Sequence, residues 1–179
     1  GESAPRLVPA RGRLRDADTG PPVTGDRVVL DEGGAITAVL ERTGTITRRA
    51  AGETTAPQVL AANVDLALIC EPLPEPNPRR AERLAALAAA GRVSAAVVLT
   101  KADRSEDGGD LQAAALARRL GVLDGLAVSA RDGSGLGALR ALLEPGTTAV
   151  LLGPSGAGKS TLVNALLGAE RQATGAVRA

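Results

Sequence analysis

Residues 153–160 read G-P-S-G-A-G-K-S, a complete G-x-x-x-x-G-K-S/T loop, and this stretch restricts the fold more than any other. Before it, residues 148–152 (T-A-V-L-L) form an apolar run suited to a buried parallel strand. After it, residues 160–167 carry helical apolar spacing closed by Gly168. Strand, glycine loop and helix in that order make a cradle for the phosphates of a nucleoside triphosphate. Gly153, Gly156 and Gly158 lack a Cβ, so the backbone can turn successive N–H groups toward phosphate oxygens. The helix that follows adds its unpaired amides and the positive end of its dipole. The expected nucleotide contacts are Gly153, Pro154, Ser155, Gly156, Ala157, Gly158, Lys159, Ser160 and Thr161. Lys159 and Ser160 are the candidate catalytic pair, with Lys159 reaching the β- and γ-phosphates and the Ser160 hydroxyl ligating Mg²⁺.

A second signal lies upstream. Residues 94–99 (S-A-A-V-V-L) are another apolar strand, and it runs into Thr100-Lys101-Ala102-Asp103, a near match to the N/T-K-x-D signature of GTPases. The aspartate of that signature accepts hydrogen bonds from guanine N1–H and the exocyclic amine, while the lysine stem packs along the base. Adenine offers no N1–H donor and would leave the carboxylate unpaired, the costly kind of mismatch. Asp103 therefore selects GTP or GDP over the adenine nucleotides. Ser129-Ala130 follows a further apolar strand and resembles the S-A-K/L element whose backbone contacts guanine O6. With Thr100 in place of the commoner asparagine, an amide that tethers the guanine loop is expected to be lost. Of 21 basic residues only Lys101 and Lys159 are lysine, and both fall in these motifs, where a slim ammonium stem differs chemically from a planar guanidinium.

The order of the motifs is unusual: the guanine signature precedes the phosphate loop. That permuted order, together with a β-rich segment upstream, resembles the ribosome small subunit-dependent GTPase A family of circularly permuted GTPases. The resembling stretches are residues 25–28, 58–65, 77–83, 99–103 and 146–168. The resemblance implies an α/β, circularly permuted P-loop GTPase domain, a parallel sheet with flanking helices, preceded by a small all-β OB-fold barrel. It also implies GTP hydrolysis in late 30S ribosomal subunit assembly, stimulated by the small subunit, with the 30S subunit and 16S rRNA as partners of a cytoplasmic monomer. The family continues beyond the phosphate-loop helix into a threonine-rich switch I, a D-x-x-G switch II and a zinc-binding Cys/His domain. The chain is accordingly expected to be a fragment, with zinc confined to a downstream domain. Two D-x-x-G matches, at Asp31 and Asp132, read as turns. A P-loop ATPase or kinase and a non-catalytic, nucleotide-gated ribosome-binding module remain the alternatives.

Organisation along the chain fits two parts: a leader at 1–10, a barrel at 11–50, a linker at 51–57 and the GTPase domain at 58–179. Strands are expected at 64–70, 94–99 and 126–129. Helices are expected at 77–90 (Asn77 capping, Pro78 opening), 110–120 (Asp110 capping) and 136–143. Net charge is +1, so no overall basic field draws the chain to nucleic acid. Arg11, Arg13 and Arg15 alternate, and in a strand would share one face able to meet rRNA phosphates. Arg79, Arg80 and Arg83 crowd a helix start, where cations oppose the dipole. The lone Cys70 reads as a buried apolar residue. No apolar run reaches membrane length and no signal-peptide pattern is read, which points to no membrane partner. Phe, Tyr, Trp, His and Met are absent, so the core must be Leu, Val, Ile and Ala, and aromatic stacking on bases is impossible.

Overall fold

The computed structural model describes residues 7–10, 20–48 and 58–168. Backbone contacts divide it into two compact units, meeting in sequence between Asn63 and Val64. The first is all-β. Strands β1 (Val28–Leu30) and β2 (Ile36–Val39) pair antiparallel, as do β3 (Thr45–Arg48) and β4 (Gln58–Ala62). The turn between β1 and β2 is one of the two D-x-x-G matches; Asp31 closes it by accepting the Ala35 amide on Oδ1 at 2.9 Å. Ile46 and Ala62 are buried at its centre. Beside them the carboxylate of Asp26 takes both Nε and Nη2 of Arg42, at 2.7 and 2.6 Å, and the Val23 amide at 2.8 Å. These antiparallel strands are consistent with an OB-like domain. Residues 58–62 pair with β3, so in backbone contacts they go with the all-β unit. An alternating segment such as Q-V-L-A-A suits a strand on either side of a linker, and only pairing decides.

The second unit is a four-stranded, all-parallel sheet in the order β7-β6-β5-β8, built from β5 (Leu66–Pro72), β6 (Ser94–Thr100), β7 (Gly125–Val128) and β8 (Ala149–Leu152). Helices α1 (Pro78–Ala90), α2 (Asp110–Leu120), α3 (Leu136–Ala141) and α4 (Lys159–Leu167) connect or follow the strands. The strands are continuous apolar runs because both faces are covered. Leu66, Leu68, Cys70, Ala96 and Val98 pack on one face with Leu136, Leu139 and Leu162 of α3 and α4. The alternate residues Ala67, Ile69, Val97 and Leu99 are also fully buried, on the opposite face.

With no aromatic residues to fill space, the layers close up through small ones. Ala81 and Ala88 of α1 and Ala113 and Ala117 of α2 are buried, and Gly125 admits α2 so closely that a Cβ there would stand 2.1 Å from the Ala113 carbonyl oxygen. Asn77 caps α1, its Oδ1 accepting the Arg80 amide at 3.0 Å, and Pro78 takes the first helical position. Arg80 itself pairs with the fully buried Glu71, which answers one of the cations crowding that helix start. Helix α2 departs from expectation. Its cap is Gly109 in the left-handed conformation, while Asp110 is already helical and spends its carboxylate on the Ala127 amide at 3.3 Å. All four strands point the same way, so their carboxyl ends, and the loops that leave them, gather at one edge of the sheet.

Candidate nucleotide site

The phosphate loop leaves β8 at Gly153. A Cβ at this position would lie 2.3 Å from the Cys70 carbonyl oxygen, so only glycine lets the loop pass the end of β5. Pro154, Ser155 and Gly156 carry the chain around, with Ser155 exposed and the Ala157 amide donating back to the Pro154 carbonyl at 3.3 Å. Gly158, at φ +81°, caps α4. Lys159 folds its ammonium across the loop, donating to the carbonyls of Gly153 and Pro154 at 2.9 and 2.7 Å. Ser160 and Thr161 occupy the first turn of α4, whose leading amides have no intrahelical acceptor. The loop's neighbour Cys70 is a thiol: burial pushes its pKa up to about 12, against the lowering influence of the Lys159 charge.

Strand β6 delivers the second motif to the same edge. Thr100, almost fully buried, donates its hydroxyl to the Ala157 carbonyl at 2.6 Å. The asparagine amide is absent, as expected, but the threonine hydroxyl makes a bond of its own to the loop, because the end of β6 comes close enough for it to span the gap. Lys101 sits in the left-handed region at φ +60° and opens a single 3₁₀ turn, Ala102–Arg104, that presents Asp103. Ser129, at the end of β7 and fully buried, donates to Asp103 Oδ1 at 2.9 Å. Its oxygen in turn accepts the amides of Arg131 and Asp132 at 3.2 and 3.4 Å. Asp132 begins the second D-x-x-G match, and it too forms a turn, with Oδ1 accepting the Ser134 amide.

Between these elements lies a cavity of about 200 Å³. Thr100, Lys101 and Asp103 line it from β6 and its turn, Val128 and Ala130 from β7 and the turn after it, and Gly158, Thr161 and Leu162 from the phosphate loop and α4. Arg104 and Arg131 complete it. Two segments more than fifty residues apart in sequence are thus brought to one hollow. Sequence reading missed Arg131, although it directly follows Ser129-Ala130, and it missed the Glu71–Arg80 pair, whose partners carry no motif. Arg11, Arg13 and Arg15 lie outside the described residues.

The donor set suits Mg²⁺ in a restricted sense. Ser160 is half-buried at the helix start, and among the described residues no group of three or more His, Cys, Asp or Glu could hold a metal. A divalent ion here would take Ser160 together with phosphate oxygens. Among the described residues zinc finds no ligand set either: the sequence has no His, and its one Cys is buried with its pKa pushed up to about 12.

The RsgA GTPase family profile matches residues 39–179 of the chain. The chain belongs to the RsgA GTPase family. A small ribosomal subunit biogenesis GTPase RsgA of Xylella fastidiosa is 46% identical over 157 residues, covering 87% of this chain and 46% of the relative. Its namesake in Xanthomonas euvesicatoria is 46% identical over 151 residues, 84% of this chain and 42% of the relative. The chain thus spans less than half the length of these curated RsgA proteins. Among solved structures, YjeQ from Thermotoga maritima aligns with a TM-score of 0.64 at 27% identity, covering 88% of this chain and 55% of that one. YloQ, described as a circularly permuted GTPase, aligns with a TM-score of 0.56 at 26% identity over 91% of this chain and 56% of that one. The parallel sheet and the permuted order of the motifs in this chain match the fold of a circularly permuted GTPase, the description that YloQ carries.

Proposed function

We propose that this chain is the guanine-nucleotide-binding part of a GTP-hydrolysing factor that acts in late assembly of the 30S ribosomal subunit, in the cytoplasm, as a monomer that contacts 16S rRNA. The observation that carries the reading is the shared cavity: the Asp103–Ser129 pair stands on one side and the first turn of the phosphate-loop helix on the other. Asp103 would accept N1–H and the exocyclic amine of guanine, with Ser129 fixing its rotamer and Lys101 packing its stem along the base. Gly153 to Thr161 would wrap the phosphates with backbone amides, and Lys159 would exchange its two loop carbonyls for β- and γ-phosphate oxygens. Mg²⁺, held by Ser160 and phosphate oxygens, would supply neutralisation of charge on the transferring phosphoryl group. Phosphoryl transfer is mostly positioning and charge stabilisation, which suits a site built from amides, one ammonium and one hydroxyl. The RsgA relatives' name, with its small ribosomal subunit, supports the choice of partner.

Calorimetry with GDP and ADP tests the reading. GDP is expected to bind at least about tenfold more tightly, roughly 1.4 kcal/mol and within reach of one charge-assisted hydrogen bond, and Asp103→Asn should relax the preference. Equal affinities in the unmodified chain would remove the guanine assignment. Hydrolysis by the 179-residue chain alone should stay near background, whereas the family's full-length protein should be accelerated by 30S subunits. A full-length rate indifferent to 30S subunits would end the ribosomal part of the proposal and leave nucleotide binding standing.

A further inference from the structure

Glu71 is a carboxylate that the nucleotide site does not use, yet its backbone stands among the groups that build the site. It follows Cys70, whose carbonyl oxygen leaves no room for a Cβ at Gly153, the first residue of the phosphate loop. In the sheet it lies two positions past the Ile69–Leu152 pair, the last between β5 and β8, and opposite Leu99, the residue before Thr100. Its carbonyl oxygen is 3.4 Å from the same Thr100 hydroxyl that donates to Ala157. The side chain is fully buried and takes three donors: Nε and Nη2 of Arg80 at 2.8 and 2.5 Å, and the Asn77 amide at 3.1 Å. Arg80, with 29% of its side chain exposed, is the cation that balances it, through a fork that fixes where the positive charge sits.

A charge buried beside a phosphate loop matters because interior charges are screened far less than exposed ones and act over many ångströms. The thiol of Cys70, whose pKa is raised chiefly by burial, registers both neighbours: the Lys159 charge pulls it down and the Glu71 charge pushes it up. The loop and its helix, residues 153–167, contain no acidic residue and one basic one, Lys159. An unbalanced carboxylate behind that loop would oppose every anion it is built to hold and cancel part of what Lys159 contributes. We infer that Arg80 is the counter-charge of the phosphate site: its fork on Glu71 removes a negative field from behind the loop and so sets the affinity for phosphate groups. The inference rests on the nucleotide reading above and adds to it a pair that tunes the loop through charge balance alone, without touching base or phosphate.

The test is calorimetry of the 179-residue chain, Glu71→Gln and the double variant Glu71→Gln/Arg80→Gln with pyrophosphate, GDP and guanosine. Neither variant buries a charge without a partner, and far-ultraviolet circular dichroism checks that both fold. Glu71→Gln keeps an oxygen for the guanidinium but leaves the Arg80 charge unopposed, so pyrophosphate and GDP should bind about threefold more tightly. The double variant, neutral at both positions, should return to the affinity of the unmodified chain. Guanosine carries no charge and should bind all three proteins alike. Unchanged or weakened pyrophosphate binding in Glu71→Gln would overturn the inference. So would a gain that extends to guanosine, which would mark an effect of shape, or a gain that survives in the double variant, which would mean that Arg80 is not its source. An unmodified chain that binds neither pyrophosphate nor GDP would end the nucleotide reading and this one with it; a chain that binds both without these shifts would end this one alone.

Discussion

Thr100 shows how a single atom can supply a contact that the residue type does not announce. By residue type it is a shortened asparagine, yet its hydroxyl reaches the Ala157 carbonyl at 2.6 Å because β6 ends almost against the phosphate loop. Thr100→Val keeps the shape and removes the donor, leaving a buried carbonyl unpaired, and should cost about 1–3 kcal/mol of stability with a parallel loss of GDP affinity. Thr100→Ser should retain both. Urea unfolding and calorimetry check the pair; a valine variant with unchanged midpoint and affinity would show the contact to be idle. At this scale the phosphate loop was legible because each of its residues is chosen for a local task. Ser129's grip on Asp103 and Arg131's place beside it were not, since 26 residues separate Ser129 from Asp103 and nothing local in either segment calls for the other.

Among the elements, the parallel unit reads clearly in the sequence. Buried parallel strands are unbroken apolar runs, and Asn77-Pro78 and Gly168 mark helix ends by conformations that few other residues favour. The cap of α2 failed to follow the rule because Asp110's carboxylate is drawn to the Ala127 amide of β7, a tertiary demand invisible in the local sequence. In the all-β unit the informative pair is Asp26 and Arg42. Burial pushes the Asp26 carboxyl up, but hydrogen bonds from Arg42 and the Val23 amide, with the Arg42 charge, prevail and hold it below the ordinary carboxylate value. A folded pKa below the unfolded one gives stability that is complete above about pH 4, the unfolded value, and is lost as pH falls through the folded one. Asp26→Asn should therefore flatten the acid limb of the unfolding curve of this unit. An acid limb unchanged in the variant would show that the pair carries no linkage.

At the scale of the whole molecule, permutation changes the order in which the chain visits the site and leaves the site's composition alone. The T-K-A-D and S-A segments come first, the G-x-x-x-x-G-K-S loop last, and the parallel sheet gathers both at its carboxyl edge. The core achieves this with aliphatic and small residues only, substituting close approach of α2 to β7 at Gly125 for the bulk that aromatic rings supply elsewhere. The contact from Thr100 to Ala157 joins residues 57 positions apart and ties the two halves of the site by a direct hydrogen bond. Thermodynamic reciprocity then applies: whatever factor a phosphate group adds to the affinity for guanosine, guanosine must add to the affinity for phosphate. Guanosine should bind more tightly when pyrophosphate is present, and in Thr100→Val the two fragments should bind as strangers, their free energies simply additive in calorimetry. The hydroxyl that holds the loop in place is, on this view, the axle on which base and phosphate turn together.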